Sequence, residues 1–354
     1  MSHLFEPLTI RGITLRNRIG VSPMCMYSYT DGFSNDWQVI HLGARAAGGA
    51  GLVIAEATAV EARGRITPQD AGIWSDEHIE GLARVTRVIK DNGAVAGIQI
   101  AHAGRKASTR RPWDNGKPVL PGEPSGWEVV GPSPVAFSND YRVPQEMSVS
   151  EIHTVQAAFR SAAQRALDAG FEWLELHAAH GYLMHSFYSP LSNRRTDEYG
   201  GSFENRIRFL LETTRMVRPV WPEGLPFTVR ISGTDWVEGG WSVADSVELA
   251  RRLKGEGVDL IDCSSGGNAA QAVVPVGAGY QVPISEAVKQ GAEILTAAVG
   301  LITAPAQADE IIRNGRADLV LLGREMLRDP YWALHAAQAL RQTGAVPAQY
   351  LRAF

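Results

Sequence analysis

The sequence predicts an α/β protein of the (β/α)8 class, a TIM barrel with a long excursion after its third strand capping the mouth. Three observations predict it. Strand-like and helix-like segments alternate eight times along the chain. The strand segments are apolar without a period of two, as strands buried on both faces are. Helical segments of roughly 10–20 residues separate them, enough for parallel crossovers. A chain of 354 residues, 45% hydrophobic and 20% charged, has the size and composition of such a barrel with an insertion, so residues 1–354 are expected to form one domain.

Residues 18–24 are the expected first strand and residues 36–47 the first helix, with apolar positions at 39, 40, 42, 44, 46 and 47 and a stop at Gly48 and Gly49. Residues 52–57 form the second strand. Ser75 caps a helix that runs to about Asp91, with Glu77 and Glu80 near its positive end. Residues 95–101 form the third strand. The stretch 104–148, rich in Gly, Pro and Trp, is too long for a structureless connection inside a compact domain unless it is functional. It is assigned as an excursion over the barrel mouth with a small hairpin. Ser148 or Ser150 caps the next helix, which ends near Ala169. The cycle continues with strand 172–177, helix 203–219, strand 227–232, helix 242–256, strand 258–263, a short helix near 284–290, strand 293–298, helix 305–314, strand 318–322 and helix 330–341.

The net charge of −4 builds no basic field, so nucleic acid is not an expected partner. Two cysteines, Cys25 and Cys263, are too few for a disulfide framework in a chain this long and fit a reducing cytoplasm. No basic segment followed by an apolar one opens the chain, and no apolar run approaches the roughly 18 residues of a membrane span. A soluble cytoplasmic protein with no membrane partner is expected.

Barrel chemistry sits at the C-terminal ends of the strands. The fourth strand ends in His177, with His180 and Tyr182 close behind on one loop. One such histidine is most often a packing residue, but three donor side chains at one strand end point to a site. The other strands end in Pro23, Met24, Cys25 and Tyr27; in Glu56 and Ala57; in Gln99 and His102; in Arg230; in Ser264 to Gly267; in Gly300; and in Gly323 with Arg324. Glycines after the seventh and eighth strands allow backbone N–H groups to approach an anion, and Thr303 and Pro305 mark a helix start nearby. A phosphate beside an amide-rich cleft implies a nucleotide-like cofactor. A metal-dependent hydrolase is the competing reading of His177 and His180, but no third ligand follows them and no HExxH occurs, so no metal is expected. No G-x-G-x-x-G fingerprint or P-loop is present.

The strand-end residues resemble the Old Yellow Enzyme family of FMN-dependent ene-reductases. The likeness runs through Leu15-Arg-Asn-Arg-Ile19, Ser22-Pro-Met-Cys25, Gly97-Ile-Gln-Ile-Ala-His-Ala-Gly-Arg-Lys106, His177-Ala-Ala-His-Gly-Tyr-Leu183, Ser192-Asn-Arg-Arg-Thr-Asp-Glu-Tyr-Gly-Gly-Ser202 and Leu322-Gly-Arg-Glu325. Cys25 after Pro-Met, where yeast-like members carry threonine, and Gln349-Tyr-Leu-Arg352 resemble the thermophilic-like, or xenobiotic-reductase, branch. The resemblance implies FMN across the mouth, with its phosphate at Gly300, Gly323 and Arg324 and its ring among Pro23, Met24, Cys25, Ala57, Gln99 and Arg230.

It further implies an NAD(P)H dehydrogenase working by ping-pong hydride transfer, with NADPH or NADH as reductant and an alkene conjugated to a carbonyl or nitro group as substrate. His177 and His180 would bind the substrate oxygen and Tyr182 would donate the proton. Tyr27 would touch substrate, and Lys106 would support flavin or loop. Arg352 would reach across the interface of a homo-oligomer, a dimer or tetramer, into a neighbour's site. Residues 108–133, with Trp113 and Trp127, exceed the shortest branch members, and Phe354 stands where some relatives have tryptophan. A dienoyl-CoA or trimethylamine type of relative would need a four-cysteine cluster, which two cysteines cannot ligate. A flavin-binding barrel without turnover would need neither histidine nor Tyr182.

Overall fold

A computed structural model describes residues 2–120 and 122–353; Phe354 lies outside them. Eight strands form the barrel: β1 (Ile19–Val21), β2 (Leu52–Ala59), β3 (Val95–Ala101), β4 (Trp173–Ala178), β5 (Phe227–Ser232), β6 (Leu260–Ser264), β7 (Leu295–Ala298) and β8 (Leu319–Leu322). Each pairs in parallel with the next, and β8 returns to β1, so the barrel is closed; a two-residue strand, Ala71–Gly72, pairs with the end of β2. The predicted (β/α)8 fold is the observed one. The first strand is shorter than expected, and the second runs two residues further.

The crossover helices are α1 (Asp36–Ala47), α2 (Ile79–Asp91), α3 (Val149–Asp168), then, after the short α4 (Leu183–Tyr188), α5 (Phe203–Val217), α6 (Val243–Gly255), α7 (Val282–Ala292) and α8 (Pro305–Arg313). After β8 follow α9 (Arg324–Arg328) and α10 (Trp332–Ala339). Ser148, one of the two candidates, caps α3 through a capping box with Glu151. Ser75 caps a 3-10 turn, Asp76–His78, that leads into α2. The helix expected near 284–290 is longer at both ends, and α4 and α9 carried no periodicity long enough to read.

Alternate residues of each strand face outward onto the helices. Val53, Ile98, Leu174, Leu176, Val229, Ile231, Ile261 and Val320 all belong to that core. The inward residues stack in layers. The lowest is apolar, with Leu52, Trp173, Leu260 and Leu319, and is plugged by Leu8, Ile10 and Leu15 of an N-terminal hairpin, Leu8–Ile10 with Ile13–Leu15, that the sequence reading missed. Above it lies a polar layer, Gln99, Glu175, Arg230 and Asp262, all buried. The mouth is above that.

The excursion after β3 contains one short antiparallel pairing and one parallel one. Residues 108–119 double back through an antiparallel bridge between Thr109 and Pro118, the Val119 N–H donating to the Ser108 carbonyl at 2.7 Å and the Arg110 N–H to the Lys117 carbonyl at 2.8 Å, while Val130–Gly131 and Gln145–Glu146 pair in parallel. The excursion folds back over the mouth around a small cluster of Ala103, Ala107 and Val129, with Ile66, Trp127 and Tyr182 against it. The Trp127 Nε1–H donates to the Arg63 carbonyl at 2.8 Å, and Arg65 sits 5.2 Å from the Trp127 ring centre. No helix among the described residues is long and apolar enough to cross a membrane.

Candidate active site

The loop after β1 carries Pro23, Met24, Cys25 and Tyr27, all half-buried. It is held by a buried carboxylate to which the sequence reading gave no role. Between Ala55 and Thr58 the β2–β3 register slips, and this bulge carries Glu56 and Ala57. Glu56 accepts the Met26 N–H at 2.7 Å, with Tyr27 as a second backbone donor. Tyr27 has φ +49 and sets its ring edge-on to Trp113, 5.9 Å between centroids. Burial lifts Glu56 to about 8, its two backbone donors working against the rise and Asp70 adding to it.

That shift has a measurable sign. The folded state holds a proton on Glu56 that the unfolded chain releases near the ordinary value of about 4.3, so this contribution to stability is present below that pH and lost as pH rises towards 8. Glu56→Gln, a permanent mimic of the neutral acid, is expected to match wild type near pH 4.5 and to gain on it by pH 8 in urea midpoint. Parallel stability–pH curves for the two proteins would contradict it.

In the polar layer Gln99 donates through Nε2 to Glu175 Oε1 at 2.8 Å, the two lying opposite each other across β3 and β4. The other Glu175 oxygen and both Asp262 oxygens make no hydrogen bond among the described residues. Arg230 lies 3.1 Å from Asp262 through Nε, and its Nη1 donates to Ser22 Oγ at 3.1 Å. Burial raises both carboxyls and Arg230 pulls them back. One guanidinium therefore faces two buried carboxyls, a balance reached when one of them keeps its proton.

At the end of β4 the Ala179 N–H donates to His177 Nδ1 at 3.2 Å, which leaves the ring proton on Nε2. His177 Nε2 is 3.4 Å from His180 Nδ1, and His180 Nε2 is 2.7 Å from Ser264 Oγ. Burial, then the charge of Arg230, pushes both histidines well below their ordinary value, so both rings are neutral. The Tyr182 ring stands edge-on to His177 at 5.0 Å. Burial raises the Tyr182 phenol well above its ordinary value, so it stays protonated. The loop itself is strained, with His180 at φ +60 and Gly181 at φ +74. A Cβ on Gly181 would stand 2.3 Å from the Gly267 carbonyl oxygen, so only glycine fits there. Lys106 straps the two loops together, donating to the His180 and Gly267 carbonyls at 2.8 and 2.9 Å; burial and then Arg105 push it down to about 7.

Beside these groups a cleft of about 160 Å³ is lined by Ser264, Gln281, Gly300, Thr303, Gly323 and Arg324, among others. Gly300 has φ +119, and a Cβ on it would meet Gln281 Nε2 at 2.8 Å. Nothing lies closer than 3.7 Å to the Cβ position of Gly323, where the Met24 sulfur is nearest. Gly323 precedes α9, and Arg324 is its exposed first residue. This end suits a phosphate. At the other, the Gln99 amide and the Arg230 guanidinium suit the donor and acceptor edge of a flat heterocycle.

The fold thus gathers every proposed cofactor and substrate residue near one mouth except Arg352. That residue lies exposed in a 3-10 segment, Ala348–Ala353, beyond α10. Glu175 and Asp262 were missed as site residues, and Glu56 and Ser264 stood only as strand-end residues without a role. A lone carboxylate inside an apolar strand was the available signal, because a charge is kept there only when it is paired or protonated.

A barrel mouth with a glycine-lined cleft at one end and a buried amide and guanidinium at the other fits an oxidoreductase that works through a flavin nucleotide. Comparison with known proteins agrees. Residues 3–343 match the NADH:flavin oxidoreductase / NADH oxidase family. The chain is 51% identical to an NADPH dehydrogenase of Geobacillus sp. (strain WCH70) over 99% of this chain and 98% of that protein. Identity to the NADPH dehydrogenase of Bacillus subtilis (strain 168) is 48%, over 99% and 98%. Among solved structures, morphinone reductase superposes with TM-score 0.80 at 26% identity, covering 97% of this chain and 91% of that one. A 2-naphthoyl-CoA reductase superposes with TM-score 0.86 at 26% identity, over 96% of this chain and 52% of that one. The chain belongs to the NADH:flavin oxidoreductase / NADH oxidase family, the Old Yellow Enzyme family. It is an oxidoreductase whose cofactor is FMN and whose reductant is a reduced nicotinamide nucleotide.

Proposed function

We propose that this enzyme uses NADPH or NADH to reduce the C=C bond of α,β-unsaturated carbonyl or nitro compounds, with Tyr182 as the proton donor. The reading is carried by the convergence of two neutral histidines and a protonated tyrosine on one side of the mouth, groups that FMN binding alone does not require. Bound FMN supplies the hydride chemistry, taking hydride from the nicotinamide and giving it to the alkene. Gly300, Gly323 and Arg324 would hold its phosphate, and Pro23, Met24, Cys25, Ala57, Gln99 and Arg230 its ring.

The chain's own residues do the rest. When the Ser264 hydroxyl, which also lies 3.5 Å from Gln281 Oε1, turns to donate to His180 Nε2, the His180 proton is on Nδ1, 3.4 Å from the His177 Nε2–H. Two N–H donors then meet at one point and can share one substrate oxygen, which polarises the alkene and stabilises the charge that develops on that oxygen. Tyr182, edge-on to His177, would protonate the α carbon. Among the described residues no group of three His, Cys, Asp or Glu side chains is arranged to hold a metal, so nothing in the site favours the hydrolase reading.

The test is an absorption spectrum of the purified protein. Flavin bands are expected, bleached by anaerobic NADPH and restored by 2-cyclohexenone. Bleaching without recovery on any conjugated enone or nitroalkene would reduce the reading to an NADPH dehydrogenase of other specificity.

Arg352 belongs to the same reading. It lies in an exposed segment together with Leu351, which is 61% exposed, an arrangement a lone subunit gains little by ordering. A cytoplasmic homo-oligomer, dimer or tetramer, in which Arg352 enters a neighbour's site accounts for it. Arg352→Ala is then expected to weaken substrate or nicotinamide binding by roughly 1.5–3 kcal/mol, as for a hydrogen bond to a charged group. Steady-state constants beside the solution mass check this; a monomer, or an oligomer indifferent to the substitution, removes Arg352 from the site.

A further inference from the structure

The turn that carries His180 and Tyr182 is tied from outside at successive peptide groups. The His180 N–H donates to Ser232 Oγ at 2.9 Å, and the His180 carbonyl accepts from Lys106 at 2.8 Å. The third tie is the Gly181 N–H, which donates to His185 Nδ1 at 2.9 Å. His185 lies in the middle of α4, whose N-cap residue, Tyr182, makes no side-chain capping bond of its own. Its imidazole reaches back to the chain just before the helix, where unpaired amides otherwise need a cap.

Behind His185 stands Asp235, on the loop after β5. His185 Nε2 is 2.9 Å from Asp235 Oδ1, and both side chains are fully buried. The second carboxylate oxygen accepts the Ser189 hydroxyl at 2.5 Å and the Trp241 N–H at 2.9 Å. The His185 ring is also stacked on Tyr188, 4.6 Å between centroids, and the Tyr188 hydroxyl donates to the Ala178 carbonyl at 2.8 Å. Burial lowers His185, so its ring is neutral; burial acts to raise Asp235, but His185 and the other donors outweigh it and hold the carboxylate charged. A neutral ring beside a carboxylate has one satisfactory tautomer. Because Nδ1 accepts the Gly181 N–H, the proton sits on Nε2, which faces Asp235 Oδ1 at 2.9 Å without the alignment of a hydrogen bond.

We propose that His185, held in its Nε2–H tautomer by Asp235, is a positioning residue for the alkene reduction: it anchors the Gly181 amide and so sets the orientation of His180 relative to Tyr182. The inference rests on the reading under Proposed function for its consequence, although the clamp can be tested without it. Gly181 is the one residue between the two side chains, and at φ +74 it has no Cβ to restrict it. An untied Gly181 would let His180 and Tyr182 turn independently, and small misplacements of reacting groups are costly.

Two substitutions separate positioning from packing. In His185→Asn the amide oxygen takes the place of Nδ1 and can still accept from Gly181, but the side chain is too short for Asp235. In His185→Gln the amide nitrogen takes the place of Nε2 and still faces Asp235, leaving Gly181 without an acceptor. Both are made as FMN-loaded protein, with FMN content checked by absorbance.

The expected result is that alkene turnover falls on the order of 10–100-fold in kcat for His185→Gln and much less for His185→Asn. Hydrogen exchange across residues 178–183 should speed up in the same order. If the role were only to satisfy the buried Asp235, the Gln variant would be the better of the two. That order, or equal losses in both, would overturn the proposal. Should wild type reduce no conjugated alkene, the functional reading fails by itself, and the exchange order alone then decides for or against the clamp.

Discussion

Tyr182→Phe is expected to leave NADPH-driven bleaching of the flavin nearly intact and to slow its reoxidation by a conjugated enone by about 10²–10⁴-fold, the usual contribution of a positioned acid. The phenol stands edge-on to His177 and has a proton to give at neutral pH and above. Burial keeps it protonated and keeps His177 neutral. Phenylalanine keeps the edge-on packing against His177, so the loss reports the hydroxyl and not the ring. Stopped-flow measurement of the two half-reactions decides it. Equal slowing of both would assign Tyr182 to nicotinamide binding, and an unchanged alkene step would mean that water or another group supplies the proton.

Arg230→Met carries the largest expected cost in stability. Asp262 is fully buried, and Arg230 is its cation at 3.1 Å. Removing one partner of a buried pair leaves an uncompensated charge, which typically costs about 3–5 kcal/mol. The loss should shrink towards acid pH, where Asp262, already raised by burial, takes up a proton. Adding Asp262→Asn to the variant should recover much of the loss at pH 7, since the two changes act on one pair. Urea unfolding of the four proteins of this cycle, compared at equal FMN occupancy, provides the check. A single variant within about 1 kcal/mol of wild type, or additive losses in the double variant, would show that the pair is not a closed unit.

Much of the barrel was readable because its determinants are local. The strand-like run Trp173 to His177 ends at a mouth, whatever lies beside it, and α3 announces itself through Ser148 and Glu151. The site residues on strand ends were legible for the same reason. Glu175 was not, for it sits between Leu174 and Leu176 and nothing local says that it meets Gln99, 76 positions earlier. Asp235 and His185 were silent likewise: the helix that carries His185 has six residues, too few for a period to register.

By itself the sequence determined the kind of each long element, the order of the barrel and which side chains stand at its strand ends, since hydrophobic period, caps and glycine stops act over a few residues. Only closure of the barrel decided the charge partners. It set Arg230 opposite Asp262 and between carboxyls from neighbouring strands, left the Glu175–Gln99 pair in a dry layer, and brought Asp235 under the His180 turn. Ionisation states and tautomers depend on those partners and on exclusion of water, so the chemistry of the site exists only in the folded chain.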